Sequence, residues 1–226
     1  MTTQAKLKNC IKLISLTFRI LEEREDAYYA VEKHLNNLKK KQGKITPNDL
    51  VSSTTIQKLS EFLSSWNKSR RYNKASLKNA LKLYLASNAN LILNGRDIKF
   101  LLQYKSNSRR NNEKIGTVKI CHIINPHEYP LIDNPIAEKI WGKSISSMKE
   151  DMFIELYNKF RNCIKSFAKQ KQLTLKQLDE LLYILYTKQK RQELYELFRT
   201  CGNNKCKNII EKLEEELCNT VKKCLS

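Results

Sequence analysis

The chain has 226 residues, of which 41% are hydrophobic, and this composition is typical of a folded protein and excludes a disordered tail. Five glycines and four prolines leave too few turn residues for a fold of strands and tight hairpins, so the composition predicts an all-α protein. Forty-two Lys and Arg residues against 23 Asp and Glu residues give a net charge of +19, a surplus that favours an anionic partner.

The first predicted element is a helix over residues 4–41, a stretch that contains neither Gly nor Pro. Apolar side chains recur there at alternating spacings of four and three residues, which predicts a helix that packs along one face. Two interpretations stay open: a first helix of the core, or a coiled coil that joins copies of the chain into a homo-oligomer. Lysines at 39–41, followed by Gly43, predict where this helix ends.

Thr46-Pro47-Asn48-Asp49 predicts the start of a second helix, because it combines a cap, a first-turn proline and an early acidic residue. We expect that helix to reach about Trp66. Two basic loops are predicted next, at 67–74 and 105–114. Between them we expect helices over residues 76–86 and 96–104, separated by a turn at Asn94-Gly95, and a third helix over 113–124 follows the second loop.

Residues 125–130 are predicted to be irregular, since prolines at 126 and 130 exclude a helix there. Asp133-Asn134-Pro135 then predicts a capped helix that ends at Trp141. Capping-box spacings predict that Ser147 with Glu150, and Thr174 with Gln177, open the next two helices. The four helices that complete the fold, about ten in all, end near Gln170, Lys188, Thr200 and Leu225.

The stretch TVKICHIINPHEYPLIDNPIAEKIWG, residues 117–142, carries a resemblance to a known family. It resembles the signature of the 8-oxoguanine-glycosylase-like proteins, which are divergent all-α relatives of the helix-hairpin-helix DNA glycosylases. The matching residues are Lys119, His122, Asn125-Pro126, Tyr129-Pro130, Leu131-Ile132, Asp133 and Gly142. Residues 61–70 and 175–185 resemble the flanking helices, so the resemblance covers about residues 50–187.

The resemblance implies a glycosylase-like helical core at residues 46–188. A long N-terminal helix at 1–45 and a helical extension at 189–226 then lie outside that core. The superfamily places two glycines shortly before its lysine, whereas this chain has only Gly116 there. The helix-hairpin-helix element is therefore expected to be degenerate or absent.

The resemblance also implies a base-excision glycosylase or lyase, which flips a damaged base out of the duplex. Lys119 matches the lysine that forms a Schiff base with the sugar, and Asp133 matches the carboxylate that stabilises the cationic sugar. The rigid proline turn is expected to bring Asp133 back toward Lys119. His122, Tyr129 and Trp66 are the expected supporting residues. An ordinary helix cap also explains Asp133, and one more surface cation explains Lys119.

The positive charge is concentrated between residues 39 and 119, where 18 basic residues face four acidic ones. Duplex DNA is the expected partner, RNA a less favoured one, and a membrane is not expected. Tyr72 or Tyr104 is a candidate for stacking on an unpaired base. A non-enzymatic nucleic-acid-binding or scaffolding protein is the alternative function. The predicted phosphate-binding residues are Lys68, Arg70, Arg71, Lys74, Lys105, Arg109, Arg110 and Lys114.

Seven cysteines, no secretory-signal pattern and no long apolar stretch predict a cytoplasmic protein with reduced thiols. Cys201, Cys206, Cys218 and Cys224 invite a zinc interpretation, but their spacing is wider than that of a zinc knuckle, so neither a metal nor a cofactor is predicted. We expect these cysteines to pack as apolar residues, or to form disulfides if the source is hyperthermophilic. Biased coding rich in Lys, Asn and Ile is compatible with an archaeal or viral source.

Overall fold

The computed structural model describes residues 5–12, 14, 25–66, 73–105, 113–186, 188–200 and 204–225. Throughout these residues the regular structure is helical, without a strand, which confirms the predicted all-α class of about ten helices. The chain divides into two compact units. We call Glu23–Leu131 the central unit, and Met1–Glu22 together with Ile132–Ser226 the terminal unit. The three segments predicted from the resemblance stay a prediction.

The predicted first helix is present at both ends, as α1 (residues 5–12) and α2 (Glu25–Gln42). α1 belongs to the terminal unit and α2 to the central unit. Residues 15–24 lie outside the described part of the chain, so an unbroken helix over 4–41 stays a prediction. α2 ends at Gln42 as predicted, and Gly43 follows with a left-handed φ of 74°.

The second predicted helix is two helices, α3 (Pro47–Val51) and α4 (Ser53–Trp66). Its start is as expected, because Thr46 and Asp49 form a complete capping box. The break is at Ser52, whose backbone is extended and whose hydroxyl donates to the Asp49 carbonyl at 2.8 Å. Thr55 donates to the same carbonyl at 2.7 Å, so side-chain hydroxyls replace the helical ladder at this point.

The middle of the central unit differs from the prediction at one element. α5 (Lys74–Leu93) is longer than predicted and ends at the expected Asn94-Gly95 turn. The predicted helix over 96–104 is wrong, since only a 3₁₀ turn at Ile98–Phe100 forms there. Side chains form hydrogen bonds with backbone groups of this segment: the Asp97 carboxylate accepts from the Lys99 amide, and the Tyr84 hydroxyl donates to the Leu101 carbonyl.

α6 (Lys114–Ile124) forms the core of the central unit, where α2, α4 and α5 pack against it. Nine of its eleven residues are buried, including three polar ones, Thr117, Lys119 and His122. The irregular segment predicted at 125–130 follows α6. A helix buried on all sides has no amphipathic stripe, which is why its central position is not evident from periodicity.

The terminal unit contains α7 (Asn134–Trp141), α8 (Glu150–Lys171), α9 (Leu175–Tyr186), α10 (Lys188–Thr200) and α11 (Asn204–Leu225). The Thr174–Gln177 capping box is confirmed by reciprocal bonds of 2.9 and 3.2 Å. The box predicted at Ser147 is wrong: α8 begins after Lys149 without a side-chain cap, and the Ser147 hydroxyl donates to Ser144 instead. A 3₁₀ turn at Ile145–Ser147 places this serine too early to cap α8.

A disulfide joins Cys10 in α1 to Cys206 in α11, across 196 residues of sequence. The expectation that all thiols are reduced is therefore wrong for this pair, and Cys206 is not available as a zinc ligand. No described helix offers a stretch of sufficient length and apolarity to traverse a bilayer.

Candidate nucleic-acid interface and lysine site

Lys119 and Asp133, the predicted catalytic pair, belong to different units. Lys119 is 5% exposed, on the buried helix α6 of the central unit. Asp133 is the N-cap of α7 in the terminal unit, where its carboxylate accepts from the Ile136 amide at 3.1 Å. The approach of the two side chains stays a prediction, while the capping role of Asp133 is a feature of the structure.

His122 is a buried histidine with both ring nitrogens in use. Its Nδ1 lies 2.9 Å from the Tyr129 carbonyl oxygen, and its Nε2 lies 3.3 Å from the Tyr28 hydroxyl. Because a carbonyl only accepts, Nδ1 carries a proton and donates to Tyr129, while Nε2 shares a hydrogen bond with the Tyr28 hydroxyl. His122 thus fixes the segment after α6 to α6 itself and to α2. The structure gives it a positioning role.

The proline-rich segment after α6 is anchored to the end of α5. The Asn125 side-chain amide donates to the carbonyls of Ile92 and Leu93, at 3.1 and 3.2 Å. These carbonyls belong to the last turn of α5, where partners four residues ahead are missing, and the Ile92 carbonyl also accepts from the Gly95 amide at 3.1 Å. The fully buried Tyr129 donates its hydroxyl to the Arg96 carbonyl at 2.8 Å. Asn125, Tyr129 and His122 of the signature therefore fix the proline-rich segment to the end of α5 and to α6.

Gly116, the glycine that precedes the lysine, is buried inside the first turn of α6. A Cβ at this position would lie 3.0 Å from the ring of Tyr104. Close helix packing therefore accounts for this glycine. Tyr104 is itself 1% exposed and packs edge-to-face against Tyr84, so the prediction that it stacks on a base is wrong.

Three of the eight predicted phosphate-binding residues lie in the described part of the chain. Lys74 is exposed at the first position of α5, Lys105 is exposed, and Lys114 is half-buried at the first position of α6. The other five lie outside the described residues: Lys68, Arg70, Arg71, Arg109 and Arg110. The predicted stacking residue Tyr72 lies outside them as well, and so does the side chain of Trp66.

Sequence reasoning missed the cations that continue from Lys74 along α5. Lys78 and Lys82 follow at intervals of four residues, so the three lysines form one stripe along the helix. Lys82 is exposed and Lys78 is half-buried. We call Lys74, Lys78 and Lys82 the α5 lysine stripe. The sequence contains the signal, because the four-residue spacing of these lysines is visible without a structure.

The terminal unit has an open cleft of about 500 Å³ between α7, α9 and α10. Its one guanidinium, that of Arg191, makes two hydrogen bonds to Glu214, at 3.2 and 2.8 Å. That pairing neutralises the charge of the arginine. In the described residues no group of three His, Cys, Asp or Glu side chains is placed to hold a metal.

The chain matches no protein-family model, no curated protein and no solved structure. The likeness to glycosylases rests on the residues of the 117–142 stretch and its flanking helices. It stays a hypothesis about this chain.

Proposed function

We propose that the protein binds duplex DNA through the basic surface of the central unit. The observation that carries this proposal is the α5 lysine stripe. The helix on which it lies contains three cations and no acidic residue. A basic stretch of sequence at residues 67–74 leads into this helix, and a second one at residues 105–114 leads into α6.

The spacing of the stripe suits a regular polyanion. Residues four apart on a helix are separated by about 6 Å along its axis. Each strand of B-DNA presents one phosphate per about 3.4 Å of axis. Successive lysines can therefore each reach a phosphate of the same strand. Lysines bind phosphates as point charges and carry no sequence information, so this surface favours binding with little sequence preference.

The test is the salt dependence of duplex binding in a Lys74→Gln/Lys78→Gln/Lys82→Gln variant. Each phosphate contact contributes about 0.9 to the slope of log K against log salt. Loss of the stripe should therefore lower that slope by as much as about 2.7, and weaken binding most at low salt. An unchanged slope would refute the proposal.

The matched control replaces three exposed lysines of α11, by Lys205→Gln, Lys212→Gln and Lys222→Gln. It removes the same net charge from the terminal unit. If the effect came from net charge alone, both triple variants would lose affinity equally. Parallel measurements on single-stranded DNA and on RNA at fixed salt test the preference for the duplex.

A second candidate function is base excision at Lys119. The family-like signature supports it, and so does the burial of this lysine on α6, since attacking amines work in water-poor sites. Borohydride should trap a covalent complex with abasic duplex DNA, and Lys119→Gln should abolish the complex. If nothing is trapped while binding persists, the protein is a non-enzymatic DNA-binding or scaffolding protein. Sedimentation of the full chain then tests whether residues 4–41 assemble it.

A further inference from the structure

Two cysteines of the terminal unit lie within reach of each other, separately from the disulfide already described. The Sγ atoms of Cys163 in α8 and Cys224 in α11 are 2.6 Å apart. A covalent disulfide holds its sulfurs at about 2.05 Å, so little movement separates the two states. Cys163 is 3% exposed, whereas Cys224 is exposed in the last turn of α11.

The packing of α8 and α11 keeps these sulfurs facing each other. Lys171 of α8 pairs with Glu216 of α11. Eight residues forward along α8, from Cys163 to Lys171, thus correspond to eight residues back along α11, from Cys224 to Glu216. The two helices are therefore antiparallel and in register. The sulfurs meet at a defined level of this interface.

α11 carries one such cysteine at each end. Cys206, in its first turn, is already bonded to Cys10 of α1. Cys224 lies 18 residues later, a distance of about 27 Å along the helix. The first end of α11 is thus fixed covalently, and the last turn is held by side-chain packing until its thiol reacts.

We propose that Cys163 and Cys224 form a reversible dithiol–disulfide pair, oxidised by a low-molecular-weight disulfide, that fastens the last turn of α11 to α8. The exposed Cys224 reacts first. Its thiolate attacks one sulfur of the oxidant RSSR, forms a mixed disulfide and releases RS⁻. Cys163 then loses its proton to solvent and attacks the Cys224 sulfur, which expels the second RS⁻. Two protein thiols lose two electrons in total, and RSSR is reduced to two thiols.

The surroundings of the two thiols support this order. Burial, with a contribution from the neighbouring Cys224 sulfur, raises the pKa of Cys163 to about 12. Cys163 is therefore protonated at neutral pH and a poor first nucleophile. It acts as the resolving thiol, held next to the sulfur that it must attack. The other described cysteines outside the disulfide are placed differently: Cys121 is buried in the central unit, and Cys218 contacts the Tyr186 hydroxyl at 3.0 Å.

The test uses the full chain, equilibrated with mixtures of reduced and oxidised glutathione, quenched by alkylation and mapped by mass spectrometry. Two parallel digests are needed, because residues 9–12 and 162–165 are both Asn-Cys-Ile-Lys and give the same tryptic peptide. Cleavage after glutamate separates Cys10 from Cys163. Trypsin separates Cys218 from Cys224.

Peptides that contain Cys163 and Cys224 should become joined by a disulfide as the concentration of oxidised glutathione rises. Reduced glutathione should return both cysteines to thiols. The Cys163→Ser variant should instead retain glutathione on Cys224. In the Cys218→Ser control the link should form as in the wild type. The proposal is overturned if both thiols remain alkylatable while Cys10–Cys206 is bonded. Glutathione that stays on Cys224 of the wild-type chain would overturn it too, as would loss of the link in Cys218→Ser.

Discussion

The terminal unit joins distant parts of its sequence with sulfur and charge, whereas the central unit joins them with neutral side chains that bond backbone carbonyls. In the terminal unit α11 is bonded to α1 through Cys10–Cys206. It is also paired with α10 through Arg191–Glu214 and with α8 through Lys171–Glu216. Acidic residues of α11 therefore neutralise cations of neighbouring helices.

In the central unit the long-range anchors that converge on the end of α5 are amide and hydroxyl groups. Asn125, Tyr129 and Tyr84 donate to carbonyls of Ile92, Leu93, Arg96 and Leu101. These anchors involve none of the lysines of α5, a helix without carboxylates. The proposed DNA-binding surface is based on those lysines.

The largest effect is expected from Cys206→Ser, which removes the bond between α1 and α11. Loss of a disulfide that closes a long loop typically costs about 2–5 kcal/mol of unfolding free energy. Hydrogen exchange should accelerate at the amides of α8 and α11, and should stay unchanged at those of α5 and α6. Cys218→Ser, in the same helix but outside the disulfide, is the control. Equal acceleration in both units would show that they do not unfold separately.

Asn125→Ala should weaken the central unit by about 2 kcal/mol, because the Leu93 carbonyl loses its side-chain donor and the Ile92 carbonyl keeps only backbone donors. Asn94→Ala is the matched control. Its exposed amide bonds only to Asn90, one turn away, so water can replace it at a cost of about 0.5 kcal/mol or less. Denaturant unfolding of the two variants gives the comparison. Similar costs would mean that the anchor contributes little.

Gly95→Ala is expected to cost about 2 kcal/mol, and Gly43→Ala about 1 kcal/mol. Both glycines have a left-handed φ, of 64° and 74°. A methyl group at Gly95 would also lie 2.8 Å from the Cγ of Glu128, in the anchored segment, whereas that at Gly43 meets open space. The difference between the two melting temperatures measures that close approach. Equal shifts would indicate that Glu128 moves aside freely.

Local rules predicted the parts of the fold that neighbouring residues decide. The end of α2, the cap at Thr46, the Asn94-Gly95 turn and the cap at Asp133 each depend on a few adjacent residues, and all are present. Residues 96–104 form only a 3₁₀ turn at Ile98–Phe100 instead of the expected helix, and the Leu101 carbonyl accepts from Tyr84, 17 residues away in sequence. Composition and spacing do not reveal such a tertiary contact.

The functional residues show the same limit. Sequence spacing places His122 near Lys119, but the two hydrogen-bond partners of its ring, Tyr28 and Tyr129, come from other segments. The Cys10–Cys206 bond spans 196 residues, and no local pattern predicts which cysteines meet. The α5 lysine stripe, by contrast, was readable from periodicity alone. Patterns within one helix are predictable from sequence, and pairings between helices require the fold.

The smallest expected effect concerns Asp49, whose carboxylate completes the capping box of α3. It accepts from the Thr46 hydroxyl at 2.6 Å and from the Thr46 amide at 2.8 Å, and these bonds hold the pKa of Asp49 below its usual value. Since the folded-state pKa is the lower one, the stabilisation is complete above the unfolded value of about 3.9, and is lost as pH falls through the folded value.

Asp49→Ala should therefore cost about 1 kcal/mol at pH 7, and the difference from the wild type should shrink below about pH 4. Asp49→Asn keeps an acceptor oxygen without the charge, so its stability should not change with the titration of this position. Urea unfolding of all three proteins between roughly pH 2.5 and 7 makes the comparison, because this range extends to both sides of the usual carboxyl pKa. A gap between wild type and Asp49→Asn that persists unchanged at the acid end would show that the charge contributes nothing. The cap of α3 would then depend on shape alone, in keeping with the neutral anchors elsewhere in the central unit.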